Sequence, residues 1–207
     1  MVGFCPRKRR KDARPSEIVE AARLEFVARG FAASKVEQIA ARAGVSKGTV
    51  YLYFPTKEAL FEAVMRANVL TVIEGAAAIV AADSDTPAPV QLRFLLETMY
   101  RELVGTDRRK LMHLIIAEGP HFPQLLEFYH REVVTRGMEI VSALVERGAA
   151  RGEFDPRGME RHPKLIIGPA LLAALYTNLF GACEPLDLED YARTHIASVM
   201  RALGAHE

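Results

Sequence analysis

The chain has 207 residues, half of them hydrophobic and about a quarter charged, which is the composition of a soluble globular protein with ample length to bury a core. Apolar stretches such as Leu165–Leu175 are interrupted by Gly168 and Pro169 and fall short of the ~20 residues of a membrane span, so no membrane partner is expected. The formal charge of +1 conceals an asymmetry: residues 1–66 carry 13 Lys/Arg against 7 Asp/Glu, and residues 67–207 carry 14 against 19. One end suits a polyanion and the other does not. The basic N-terminus has no apolar stretch behind it, so a secretory signal is not expected. Cys5 and Cys183, the only cysteines, form neither a disulfide framework nor a metal-ligand spacing. A cytoplasmic location fits.

Taken in chain order, nearly every segment reads as helix and none shows sustained period-two alternation. Residues 1–14 form a basic, flexible arm with Arg7, Lys8, Arg9, Arg10, Lys11 and Arg14 against Asp12. Pro15 suits a first helical turn, with Glu17 and Glu20 near the positive end of the dipole. Ile18, Ala21, Ala22, Leu24 and Phe26 then face a core, and Gly30 stops the helix. A short helix runs from about Lys35 to Ala43, with Val36, Ile39 and Ala40 inward and Gly44 after its end. Ser46 caps the next helix, which runs to about Tyr53 and is ended by Pro55. Thr56 caps a fourth helix, which could continue from Glu58 to Ala82. The clearest loop spans Asp83–Pro87. Beyond it, helices are expected over Val90–Val104, Arg108–Glu118, Phe122–Ala150, Pro163–Phe180 and Leu186–Leu203. The fold class is therefore all-α, with about nine helices.

Residues 36–54 place two short helices about a glycine turn, the arrangement that lets the second helix enter a DNA major groove. Ala40 is small where the helices approach, Gly44 supplies the left-handed residue, and Val45 is an apolar peg. Ser46-Lys47-Gly48-Thr49 opens the second helix with small polar residues and a cation suited to phosphate and base edges. Tyr51 and Tyr53 carry phenol groups that can reach phosphates, as can Lys57. Val50 and Phe54 are packing residues.

With these residues in place, Ile18–Phe61 resembles the DNA-binding domain of the tetracycline-repressor (TetR) family. The matching positions are Ile18-Val19-Glu20-Ala21-Ala22, Phe26, Gly30-Phe31, Val36, Ile39-Ala40, Ala43 through Tyr51, Tyr53-Phe54 and Lys57 through Phe61. One departure is that Ser34 and Lys35 stand where the family often has paired threonines. Carried over by position, the resemblance implies that Ser46, Lys47, Gly48 and Thr49 lie nearest the bases. It implies that Ser34, Lys35, Tyr51, Tyr53 and Lys57 hold phosphates.

After the basic arm over 1–14, the resemblance implies a three-helix DNA-binding domain over 15–60 and a helical ligand-binding and dimerisation domain over 61–207. The apolar faces of Pro163–Phe180 and Leu186–Leu203, with Tyr191, Ile196, Val199 and Leu203 on the latter, could form a four-helix interface with a second copy. Candidate ligand contacts, chosen as aromatic, soft or amide side chains, are Met65, Asn68, Phe94, Met99, His113, Tyr129, Met138, Tyr176 and Asn178. His113, His121 and His130 share no helical face, so no metal site is expected, and no cofactor. The chain has no Gly-rich phosphate loop, nucleophile elbow or metal cluster, so it does not read as an enzyme. The expected function is a homodimeric repressor that binds double-stranded DNA at a palindrome and is released by a small apolar or amphipathic effector. The alternatives are a DNA-binding regulator with no small-molecule ligand, or an activator.

Overall fold

The computed structural model describes residues 14–82, 85–155 and 158–205. The basic arm before Arg14, Cys5 and the Asp83-Ser84 part of the expected loop lie outside the described residues. Among the described residues all regular structure is helical, in nine continuous runs besides a three-residue 3-10 turn at Met159–Arg161, and there is no strand. The chain divides into two compact units between Val64 and Met65. This division comes four residues after the expected boundary at 60/61, and Phe61, whose ring meets Phe26 and Phe31, falls in the first unit.

The first unit contains α1 (Arg14–Ala33), α2 (Val36–Arg42), α3 (Lys47–Tyr53) and α4 (Lys57–Met65). The inward face of α1 is Ile18, Ala21, Ala22 and Phe26, joined by the carboxylate-bearing Glu25. Burying Glu25 requires charge partners, and Arg29 and Arg42 provide them at 2.9 and 3.4 Å. Leu24, expected inward, is 38% exposed instead; two residues on from Ala22, the 200° rotation carries it off the stripe. Gly30, at φ 80 and ψ 170, breaks α1 as expected. The chain then folds back so that Phe31 meets Phe26 and Phe61 with ring centroids 5.5–5.7 Å apart, mutually tilted or edge-on. These three rings are fully buried and dominate the core of the unit.

In the second unit, α5 (Thr71–Ala82), α6 (Ala88–Thr98), α7 (Arg109–Glu118), α8 (Pro123–Tyr129), α9 (Arg136–Ala150), α10 (Lys164–Phe180) and α11 (Leu188–Ala202) follow. The long helices expected over 58–82, 90–104 and 122–150 are continuous, but each contains a π-helical turn, at Arg66–Leu70, Met99–Val104 and His130–Thr135. Such turns widen the helix by one residue and often mark functional sites. The helical run Lys57–Ala81 is long and apolar enough to cross a membrane by length and composition alone, contrary to expectation. It nevertheless carries Arg66 and Glu74, and Glu74 is ion-paired with Arg136 at 3.0 Å.

A core of Val80, Leu92, Leu96, Val141, Leu144, Val145, Ile166, Ile196, Val199, Met200 and Leu203 joins α5, α6, α9, α10 and α11. The apolar side of α11 is therefore consumed within the subunit, and Ile196, Val199 and Leu203 are not available to a partner as expected. Ala173 and Ala174 of α10 likewise pack against Tyr100 and Val104. What α10 leaves outward is Leu165, Leu172 and Leu179, a seven-residue spacing, with Leu171 and Phe180 beside them. A strict seven-residue repeat is the pattern of a helix seam.

Candidate nucleic-acid interface and effector cavity

The turn between α2 and α3 is built locally. Ala43 closes α2, and Gly44 adopts φ 65, a conformation that costs a residue with a Cβ about 1–2 kcal/mol. Gly44 N–H then donates to Ala41 O at 3.1 Å and Val45 N–H to Ala40 O at 3.0 Å, the paired bonds that satisfy a helix's last carbonyls. The extended Ser46 starts α3: its Oγ accepts from Thr49 N–H at 3.1 Å and lies 2.8 Å from Thr49 Oγ1. Val50 is buried and ties α3 to the core, and Pro55 follows the extended Phe54.

This anchoring turns the rest of α3 outward. Ser46, Lys47, Gly48, Tyr51, Leu52 and Tyr53 are exposed, and Thr49 is half-buried. Lys47 is ion-paired with Glu37 of α2 and its ammonium lies 5.7 Å from the Tyr51 ring centroid. The hydrogen bond between them holds the Glu37 carboxyl below its usual range and raises the Lys47 ammonium, so both are charged at neutral pH. Leu52, which sequence reasoning passed over, is 78% exposed. A large apolar residue with no partner on this face was the available signal.

Two of the expected contacts, Ser34 and Lys57, are engaged within the fold. Ser34 is buried and donates its hydroxyl to Gly30 O at 2.6 Å; the extended Lys35, not Ser34, precedes α2, and it offers no side-chain cap. Lys57 donates to the carbonyls of Phe31 (2.8 Å), Ser34 (3.2 Å) and Ala32 (3.3 Å) and sits 4.4 Å from the Phe31 ring centroid. Its charge thus closes the segment after Gly30. Lys35 is exposed, as a phosphate contact would require.

The second unit holds a cavity of about 560 Å³, within the range of small-molecule sites, that opens to solvent where Ile116, Leu171 and Leu172 are exposed. Its walls come from α5 through α10, and all three π turns contribute: Val69, then Met99, Leu103 and Val104, then Val133 and Val134. Of the nine expected contacts, Met99, Tyr129 and Met138 are in the wall and six are not. Helical phase explains the misses. On α7 the wall is Arg109, Met112 and Ile116, and on α10 it is Lys164, Ile167, Gly168, Leu171, Leu172 and Leu175. His113, Tyr176 and Phe94 fall just beyond the edges of the lining rows, about 40° past Arg109, Leu172 and Thr98. Met65 is wholly buried packing, and Asn68 is half-buried off the wall. Tyr176 donates its hydroxyl to Glu184 Oε2, and Asn178 donates Nδ2–H to Arg109 O at 3.1 Å. Burial pushes the Tyr129 phenol up to about 12, so it remains a neutral donor. Among the described residues no three His, Cys, Asp or Glu gather as a metal site.

Comparison with known proteins fits this arrangement. The family model for bacterial regulatory proteins of the tetR family matches residues 18–64, and that for the tetracyclin repressor-like C-terminal domain matches residues 90–202. The HTH-type transcriptional regulator YfiR of Bacillus subtilis (strain 168) is 27% identical over 169 residues, 72% of each chain. Among solved structures, one from Mesorhizobium loti MAFF303099 described as a TetR-family regulator has a TM-score of 0.77 at 24% identity, covering 95% of this chain and 98% of that one. The regulator FadR from Bacillus subtilis, solved in complex with stearoyl-CoA, has a TM-score of 0.70 at 19% identity, covering 90% and 98%. With its helix-turn-helix unit and its C-terminal helical unit both matched, this chain belongs to the TetR family of DNA-binding transcriptional regulators.

Proposed function

We propose that the protein is an effector-responsive repressor that binds a palindromic operator as a cytoplasmic homodimer. The observation that carries this reading is the pairing of an outward-facing α3 in one unit with an apolar cavity of about 560 Å³ in the other. Ser46, Lys47, Gly48 and Thr49 would approach the bases, with Leu52 available to a thymine methyl group. Lys35, Tyr51 and Tyr53 would hold phosphates. The exposed Leu165, Leu172 and Leu179 of α10 support a twofold interface, and two recognition helices about 34 Å apart would read successive major grooves. The binding of stearoyl-CoA by the similarly folded FadR supports an elongated apolar effector here. Such a ligand acts only through its differential affinity for DNA-competent and DNA-incompetent states.

The test is operator affinity of the purified protein, on fragments selected from genomic DNA, with and without apolar compounds. Weakening by at least one of them is expected. A homodimer whose DNA affinity no apolar compound alters would defeat the effector reading, and a transcription assay separates repression from activation.

The geometry also separates two lysines. Lys47→Ala should weaken operator binding and reduce the log–log salt slope by about one. Lys57→Ala should leave that slope alone and lower the melting temperature, because its ammonium serves three carbonyls of the fold. Binding titrations across a salt series, with thermal melts, decide it; a reduced slope in the Lys57 variant alone would reverse the assignment.

A further inference from the structure

The effector cavity contains a charge that its own walls do not answer. Three cations line it, Arg108, Arg109 and Lys164, and no Asp or Glu does. Arg108 is neutralised by Glu102, whose Oε2 lies 3.1 Å from its Nη1. Lys164 is exposed to solvent, where an ammonium needs no partner. Arg109 differs from both. Its Nη1 donates only to the neutral carbonyls of Thr106 (2.8 Å) and Val104 (3.5 Å), and its Nε is buried without a partner. Among the described residues no carboxylate pairs with it. A half-buried guanidinium against an apolar wall with an orphaned N–H is costly unless something supplies the acceptor and the opposite charge.

We infer that the cavity takes an elongated apolar molecule with a single anionic end, and that Arg109 binds that end. The proposal rests on the effector reading above and adds the polarity and orientation of the ligand. Arg109 lies at one end of the cavity, since its carbonyl accepts from Asn178, about 21 Å along α10 from Lys164 at 1.5 Å per residue. Between them Ile167, Leu171 and Leu175 of α10 line the wall, giving an apolar channel about 16 Å long over residues 164–175. Arg109 is in the cavity wall, and a guanidinium's planar fork of N–H donors matches a carboxylate's two oxygens. An acid is therefore oriented head-to-Arg109, with its chain directed toward Lys164.

The experiment compares dodecanoate with 1-dodecanol, which share a chain and differ in the charged end. Binding to the full-length protein is measured by displacement of an extrinsic apolar fluorophore, since the chain has no tryptophan. The wild type is expected to bind the acid at least about tenfold more tightly than the alcohol, the scale of one charge-assisted hydrogen bond. Arg109→Gln should erase that preference with alcohol affinity unchanged, Arg109→Lys should keep part of it, and Lys164→Gln should keep all of it. Alcohol binding reports on the cavity and the acid–alcohol ratio reports on Arg109. Equal binding of the two by the wild type overturns the anion anchor while the effector reading stands; binding of neither removes both. A parallel loss of both ligands in Arg109→Gln makes the residue structural, and loss of preference in Lys164→Gln moves the anchor to the other end. Both results overturn the proposal.

Discussion

Gly48→Glu is expected to yield a protein that folds as well as the wild type or better and no longer binds its operator. Gly48 is exposed in the first turn of α3, and a Cβ built there meets only Ser46 Oγ, at an ordinary 3.8 Å. Replacing glycine inside a helix contributes up to about 1 kcal/mol, and a carboxylate in the first turn is favoured by the helix dipole. The same carboxylate would be carried against the phosphates and base acceptors of the groove. Like charges pressed together at an interface cost several kcal/mol, so affinity should fall at least about 100-fold. Far-UV circular dichroism melts and operator titrations on one preparation give both halves of the result. An intact fold with undiminished affinity would show that α3 does not read the groove.

Phe61→Ala should have the opposite signature, with loss of DNA binding through loss of the first unit itself. Phe61 is wholly buried and edge-on to both Phe26 and Phe31 at 5.6–5.7 Å. Truncating such a ring costs about 3–5 kcal/mol in lost burial and cavity formation. Domains are stable by only about 5–15 kcal/mol, and small ones sit at the low end. The first unit of Phe61→Ala should therefore melt well below the second, producing a two-step transition. Binding of an apolar probe in the second unit's cavity should persist. A variant that melts like the wild type would mean that the three-ring cluster is not what holds the unit together.

The two variants probe parts of the molecule that were unequally visible in the chain. The turn before α3 was legible because every residue that shapes it is within a few positions of its partner. Gly44 closes on Ala41, Val45 on Ala40, and Thr49 on Ser46. Pro55 and Gly30 act on the backbone next to them, and the helices they bound fall where they were expected. Lys57 and Ser34 were misplaced for the converse reason. Lys57 reaches carbonyls 23 to 26 positions away, and Ser34 bonds Gly30 and Glu25. A lysine beside a recognition helix has the same appearance in sequence whether it faces a phosphate or a carbonyl.

The cavity was harder still. Residue type alone drew attention to His113, Phe94 and Tyr176, but lining is a matter of phase, and each π turn advances the phase by an amount that no residue pattern announces. Arg109 escaped notice because an arginine is ordinary on a helix until its neighbours are known to be carbonyls and leucines. The outer side of α10 and the inner side of α11 look equally apolar in sequence. Only the packed core of Leu92, Leu96, Val141 and Ile196 shows which of the two is already in use.

Local grammar, then, determined from the sequence alone that this is an all-helical chain with a helix-turn-helix whose second helix opens at Ser46. Capping, glycine and proline effects, and 3.6-residue periodicity act over one or two turns, and one chain records them fully. Tertiary structure alone decided which polar groups satisfy one another, which helix faces remain free, and where the cavity leaves a cation without its counter-charge. Those outcomes depend on what burial brings together from distant positions, and the cost of leaving a buried polar group unmatched is set only when its surroundings are fixed.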